Sequence, residues 1–151
     1  LAADPNPMRL ELAGALGGDE LVDPATADVA KAAQAMTGGC GVEVAIEYSG
    51  VAAGLDAVLA STERVADIRL VAGPKAAHPV DVNALLRTGV SIYGVHGRRL
   101  WQDWDMAVDL LADRKVDLTP LANPILPLDR AVEGFEAIKA GKPWKPILLA
   151  E

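Results

Sequence analysis

Val42-Glu43-Val44-Ala45-Ile46-Glu47-Tyr48-Ser49-Gly50 is the stretch whose reading decides the fold. Val, Ile and Tyr favour the pleated, half-buried surface of a strand, and Ser49-Gly50 ends the run where a turn can form. A helix pattern follows from about Val51 to Ala60, and then Ile68-Arg69-Leu70-Val71-Ala72 reads as a second strand closed by Gly73-Pro74. Upstream, Gly38-Gly39-Cys40-Gly41 stops a helix running from about Thr26 to Met36, with a short strand at Glu20-Leu21-Val22 before it. Earlier still, Pro7 suits a first helical position, and Met8, Leu12 and Leu16 recur at helical spacing until Gly17-Gly18. Strands separated by helices of roughly ten residues are βαβ units, which build a parallel sheet with helices on both faces.

Past about residue 99 the texture changes. Leu100 to Arg114 reads as an amphipathic helix with Trp101, Trp104, Val108 and Leu111 on one face. The two tryptophans read as core or interface anchors. A segment interrupted by Pro120, Pro124 and Pro127 follows; then Asp129 is placed to cap a helix over Ala131, Val132, Phe135 and Ile138, ended by Gly141. Ile147-Leu148-Leu149 is a terminal strand.

Composition narrows the function. Fourteen Lys and Arg against twenty-one Asp and Glu leave a net charge of −7, and aromatic residues make up 4% of the 151 residues. That balance argues against a nucleic-acid partner, whose phosphates demand neutralisation. No apolar run approaches the ~20 residues of a membrane span, and no basic segment followed by an apolar one opens the chain. Cys40 is the single cysteine, so neither an internal disulfide nor a Cys-rich zinc site can form. These features place the chain among soluble, cytoplasmic proteins. It opens at Leu1 without an initiator Met, which suggests an incomplete chain.

A parallel α/β fold raises the question of a dinucleotide. The Gly-x-Gly-x-x-Gly fingerprint between a strand and its helix is absent. Gly39-Cys40-Gly41 has the wrong polarity, because it follows a helix and precedes a strand. In dinucleotide-binding units an acidic residue ends the second strand and accepts hydrogen bonds from the adenosine ribose. Asp4, after Leu1-Ala2-Ala3, stands in such a position, and Arg9 lies one turn into the next helix. An acid there also repels a 2′-phosphate and so favours NAD over NADP. Taken alone, Asp4 reads first as a turn residue and Arg9 as a solvated helix residue. His78, ahead of Pro79, reads as a solvent-facing loop residue. His96 belongs to Ile92-Tyr93-Gly94-Val95-His96-Gly97-Arg98-Arg99, a strand running into a basic turn. Arg98 or Arg99 could pair with a phosphate there, or the turn could be a solvated surface loop. No nucleophile elbow and no phosphate-binding Gly-x-x-x-x-Gly-Lys motif occurs.

Four segments together carry a resemblance: Asp4 to Ala13, Gly41 to Gly50, Ile92 to Arg98 with Trp101 and Trp104, and Ala131 to Lys145 with the terminal Ile-Leu-Leu. In that order they resemble the zinc-dependent medium-chain dehydrogenases, most closely the threonine-oxidising branch. The resemblance implies an α/β chain with an incomplete Rossmann-type parallel sheet. Residues 1–99 would be a partial NAD-binding domain lacking its first strand, glycine fingerprint and first helix. Residues 100–151 would be the C-terminal segment of the catalytic domain. It implies that Asp4 and Arg9 contact the adenosine ribose, that Ala72, Gly73 and Pro74 line the nicotinamide side, and that Val95, His96 and Arg98 lie near the nicotinamide and phosphates. Lys145 would stand near the pyrophosphate.

The implied cofactor is NAD. Zinc would belong to the full-length enzyme only, since its ligands are not in this chain, and no catalytic residue is expected here. The expected partners are a small-molecule secondary alcohol and further copies of the same chain in a dimer or tetramer. A polyol or simple alcohol dehydrogenase, or a truncated remnant without activity, are the alternatives. One departure from the family pattern stands out: Ser61-Thr62-Glu63-Arg64-Val65-Ala66-Asp67 is longer than the usual turn and contains no glycine.

Overall fold

The computed structural model describes residues 1–97, 99–142 and 145–150, and the decisive strand is where the sequence places it. β3 (Val42–Glu47) pairs in parallel with β4 (Thr62–Leu70), and β4 pairs in parallel with β5 (Ser91–Gly94). Ala45, Ile68 and Ile92 lie in register across the three strands, as do Ile46, Arg69 and Tyr93. Side chains alternate between faces along a strand, and one face of β3 is closed: Ala45 and Glu47 are buried, while Val44 and Ile46 are exposed. Ile68, at the centre of this sheet, is fully buried. On the other face the Arg69 guanidinium stacks 3.8 Å from the Tyr93 ring centroid and pairs with Asp67 at 3.0 Å.

α3 (Ala52–Ser61) makes the crossover from β3 to β4 and packs on α2 (Val29–Met36), with Leu55 and Ala33 buried. Asp28 caps α2 by accepting from the Lys31 amide at 3.1 Å. The glycine cluster after α2 is indeed a stop. Thr37 Oγ1 donates to the Ala33 carbonyl at 2.7 Å and accepts from the Gly41 amide at 2.8 Å. Gly41 has φ 97°, and a Cβ there would sit 2.8 Å from the Ser61 carbonyl oxygen and the Glu63 amide nitrogen. α4 (Val82–Thr88) makes the second crossover. Asp81 caps it through the Ala84 amide at 3.1 Å, and Gly89 at φ 67° ends it.

β4 begins earlier than the sequence suggests, directly after α3. Thr62 pairs with Val42 and Asp67 with Val44, so Glu63 to Ala66 bulge out of the ladder. Val65 lies in that bulge with φ 64° and is largely exposed. A β-branched residue is a steric outlier in the left-handed region.

Chain contacts define two compact units, residues 26–97 as just described and a second comprising residues 1–25 and 98–151. In the second, β1 (Ala2–Ala3) pairs in parallel with β2 (Leu21–Val22) across α1 (Pro7–Ala15), and Val22 is buried. α5 (Gln102–Ala112) follows, and β6 (Ile125–Pro127) pairs in parallel with β7 (Ile147–Leu149) across α6 (Ala131–Lys139). Gly134 lets α6 approach closely, since a Cβ there would meet Pro146 Cβ at 3.0 Å and Leu126 Cδ1 at 3.6 Å. Asn6 joins the two ends of this unit. Its Oδ1 accepts from the Met8 amide at 3.0 Å to cap α1, and its Nδ2 donates to the Gly141 carbonyl at 2.8 Å.

Three local expectations differ from the structure. Arg130, not Asp129, occupies the cap position of α6, because a 3-10 turn over Leu128–Arg130 precedes the helix. Trp101 is 74% exposed and Trp104 50% exposed, so of the two expected roles, core or interface anchor, the core one is excluded. His78 is mostly covered, with Nε2 2.7 Å from Asp56 Oδ1.

Two stability measurements follow. Val65→Gly relieves the left-handed strain and is expected to raise unfolding free energy in urea by about 1 kcal/mol; an unchanged or lower value contradicts the strain. Asn6→Ala removes both a cap and a long-range bond and should lower stability by about 2 kcal/mol, whereas Asn6→Asp, which keeps the cap acceptor, should lose about half of that. Equal losses for the two variants would show that the cap contributes nothing, and an Asn6→Asp variant as stable as the parent would show that the Gly141 bond contributes nothing.

Candidate functional site

In an open parallel sheet, ligands gather outside the carboxyl ends of the strands. Asp4 immediately follows β1, its amide bonded to the Val22 carbonyl at 3.2 Å. Its Oδ1 accepts from the Asn6 amide at 2.8 Å, which folds Asp4-Pro5-Asn6 into a turn delivering Pro7 to the first position of α1. Its Oδ2 lies 3.4 Å from Arg9 Nη1. Asp4 is thus a turn residue, and its carboxylate retains acceptor capacity beyond those two donors. Its side chain is 29% exposed and that of Arg9 53%, so a hydroxyl-bearing ligand can reach the pair.

In the 26–97 unit the carboxyl ends of β3, β4 and β5 converge. The Val71 and Ala72 amides donate to the Glu47 carbonyl at 3.0 and 3.2 Å, and the Val95 amide donates to the Leu70 carbonyl at 2.8 Å. Gly50, at φ 69°, is pressed against the next turn: a Cβ there would lie 3.3 Å from Ala72 Cβ and 3.4 Å from the Gly73 carbonyl oxygen. Gly73 is open, with nothing within 4 Å of a would-be Cβ. Val95 and His96 are exposed in the turn after β5, and Pro74 is half-buried. The structure therefore gathers Ala72, Gly73, Pro74, Val95 and His96 at one end of one sheet, where bare backbone is available to a ligand.

Arg98 lies outside the described residues. Arg99 is committed elsewhere: its amide donates to Asp103 Oδ2 at 2.7 Å, and its Nε and Nη2 donate to Oδ1 at 3.1 and 3.0 Å. The Arg99 backbone N–H, reinforced by its guanidinium, holds the Asp103 carboxyl below the usual carboxylate range. Lys145 is exposed, its amide bonded to the Leu121 carbonyl at 2.7 Å. Among the described residues no group of three or more His, Cys, Asp or Glu could hold a metal ion, and no helix is long and apolar enough to cross a membrane. A depression lined by Thr37, Cys40, Glu43 and Glu63 sits at the amino end of β3, opposite the end where the turns converge.

Sequence reasoning missed Glu47. It is 3% exposed, and its carboxylate accepts from the amides of Ser49 at 2.8 Å and Gly50 at 3.2 Å and from the Ser49 hydroxyl. The signal was present as an acidic residue two and three positions ahead of a Ser-Gly turn.

Residues 1–113 match the family model described as zinc-binding dehydrogenase. The chain is 30% identical over 151 residues to L-threonine 3-dehydrogenase of Pyrococcus horikoshii, covering 99% of this chain and 43% of that protein. It is 31% identical over 156 residues to the protein of that name from Symbiobacterium thermophilum, covering 100% of this chain and 44% of the relative. Among solved structures, benzyl alcohol dehydrogenase from Acinetobacter calcoaceticus superposes with a TM-score of 0.88 at 26% identity, over 99% of this chain and 42% of that one. Alcohol dehydrogenase TADH from Thermus sp. ATN1 superposes with a TM-score of 0.89 at 22% identity, over 100% of this chain and 44% of that one, and shares the fold. The chain thus spans less than half the length of these relatives, and across that span it belongs to the zinc-binding dehydrogenase family.

Proposed function

We propose that this chain is the cofactor-holding part of an NAD-dependent dehydrogenase that oxidises a secondary alcohol, with L-threonine, converted to 2-amino-3-oxobutanoate, as the substrate. The observation that carries the cofactor assignment is Asp4: a part-exposed carboxylate at the carboxyl end of a parallel strand, with Arg9 beside it. A carboxylate accepts the hydroxyls of an unmodified ribose and repels a 2′-phosphate. NAD, when bound, supplies the hydride acceptor. In this reading Asp4 and Arg9 hold the adenosine ribose. Ala72, Gly73 and Pro74, with Val95 and His96, offer backbone and small side chains to the nicotinamide end, and Arg98 and Lys145 serve the phosphates.

The described residues hold no metal-ligand set. The zinc of the family would be held by other parts of the working enzyme, and no step assigned to this chain passes through it. Substrate identity rests on kinship with proteins named L-threonine 3-dehydrogenase. The working enzyme, in this reading, is a cytoplasmic homo-oligomer.

Titrating the 151-residue chain with NADH and NADPH, followed by cofactor fluorescence, tests the assignment. NADH is expected to bind saturably and more tightly than NADPH. Asp4→Ala should weaken NADH about tenfold or more, the ~1.4 kcal/mol of one charge-assisted hydrogen bond, while narrowing the gap to NADPH. Equal affinity for the two cofactors in the parent chain, or an Asp4→Ala variant that binds NADH unchanged, contradicts the reading.

A further inference from the structure

Glu47 is a buried carboxylate whose position no part of the preceding reading explains. It is 3% exposed and sits on the closed face of β3, two residues after Ala45. A carboxylate is costly to bury unless donors surround it, and here they do. Oε1 accepts from the Ser49 amide at 2.8 Å and from the Ser49 hydroxyl, while Oε2 accepts from the Gly50 amide at 3.2 Å. The backbone of the same residue does a second job, its carbonyl accepting from the Val71 and Ala72 amides at 3.0 and 3.2 Å. One residue therefore fixes the turn after β3 with its side chain and the turn after β4 with its main chain.

The surroundings are shaped to keep this arrangement. Gly54, in the first turn of α3, faces the carboxylate, and a Cβ there would collide with Ser49 Oγ and lie 2.7 Å from Glu47 Oε1. Gly50 in turn is seated against Ala72 and Gly73. A shift of the Ser49-Gly50 turn would be transmitted to the Ala72-Gly73 turn, because close-packed groups have no slack to absorb it.

We propose that Glu47 is a positioning residue for the dinucleotide: its carboxylate holds the Ser49-Gly50 turn, and through it the Ala72-Gly73 turn, in the conformation that meets the cofactor. This rests on the cofactor reading given above. Glu47 touches no ligand in this account and acts through the turn. Replacing it by Gln keeps the size but exchanges one acceptor oxygen for an NH2 group, which must face an N–H that it cannot pair with. Gly54→Ala disturbs the same turn from the other side without removing any polar group, and its helix propensity alone favours the folded chain.

The test measures NADH affinity of the 151-residue chain, Glu47→Gln, Gly54→Ala and the double variant, together with the urea unfolding transition and amide hydrogen exchange. The expected result is about a tenfold or greater loss of affinity in each single variant, with cooperative unfolding retained. The double variant should lose no more than the worse single one. Exchange protection should fall at Ser49 and Gly50 and persist at Ala45 and Ile68, which a general loosening of the fold would not spare. Should Glu47→Gln fail to fold, Gly54→Ala decides the matter by the same readouts. Folded variants that bind NADH as tightly as the parent overturn the positioning role while leaving the cofactor reading intact. A parent chain that does not bind NADH saturably overturns the cofactor reading, and the positioning role falls with it.

Discussion

Parallel pairing is the constraint on which the rest of the structure depends. Every strand pair among the described residues runs parallel, and two parallel neighbours cannot be joined by a hairpin, so each pair needs a crossover segment. α1, α3, α4 and α6 are those crossovers. Within each sheet, parallel strands present their carboxyl ends on one side, and the chain must turn there before each helix. The turns that hold Asp4, Ser49-Gly50, Ala72-Gly73 and Val95-His96 are the direct product of that geometry. Hydrogen bonds then make the turns specific: Asp4 receives the Asn6 amide, and Glu47 receives four amides between its carboxylate and its carbonyl.

How much of this could be read from the amino-acid sequence depends on whether a signal was local. β3, α1, α2 and α3 were legible because β-branched runs, Pro7 and the glycine stops are local. The turn at Asp4-Pro5-Asn6-Pro7 was legible for the same reason, since Pro7 suits a first helical position. β4 was legible only from Ile68 onward. Its first half carries Thr62, Glu63 and Arg64, which read as a turn, and the strand exists there because β3 supplies a partner. α4 went unread despite Asp81 and Gly89, its two caps, because its seven residues are too few to show a period. β6 was hidden by prolines on both sides and is fixed by pairing with β7.

Glu47 shows where local reading stops. A Glu in an alternating strand reads as a solvent-facing residue, and the Ser-Gly turn after it marks a turn acceptor without revealing that the carboxylate is buried. Its burial follows from α3 covering that face and from Gly54 leaving room for the carboxylate. Both are tertiary facts. His78 is a second case, because its partner is Asp56, 22 positions earlier. Trp101 and Trp104, read as core or interface anchors, lie outside the core of this chain. An amphipathic pattern shows that a face is apolar but not what it packs against, and both are at least half exposed in this chain.

The family match covers residues 1–113, and the chain overlaps less than half of each relative. The proposed reading assigns the carboxyl-end turns of this chain to a cofactor, and its described residues include no metal-ligand set. The most direct test of that account is to map NAD binding onto the isotopically labelled chain through backbone amide chemical shifts. The account predicts saturable shifts at the carboxyl-end turns, Asp4 to Arg9, Ser49 to Val51, Ala72 to Gly73 and Val95 to Arg98, and at Lys145. Saturable shifts centred instead on the amino-end depression around Thr37, Cys40 and Glu63, or on the faces of α5 and α6, would contradict it.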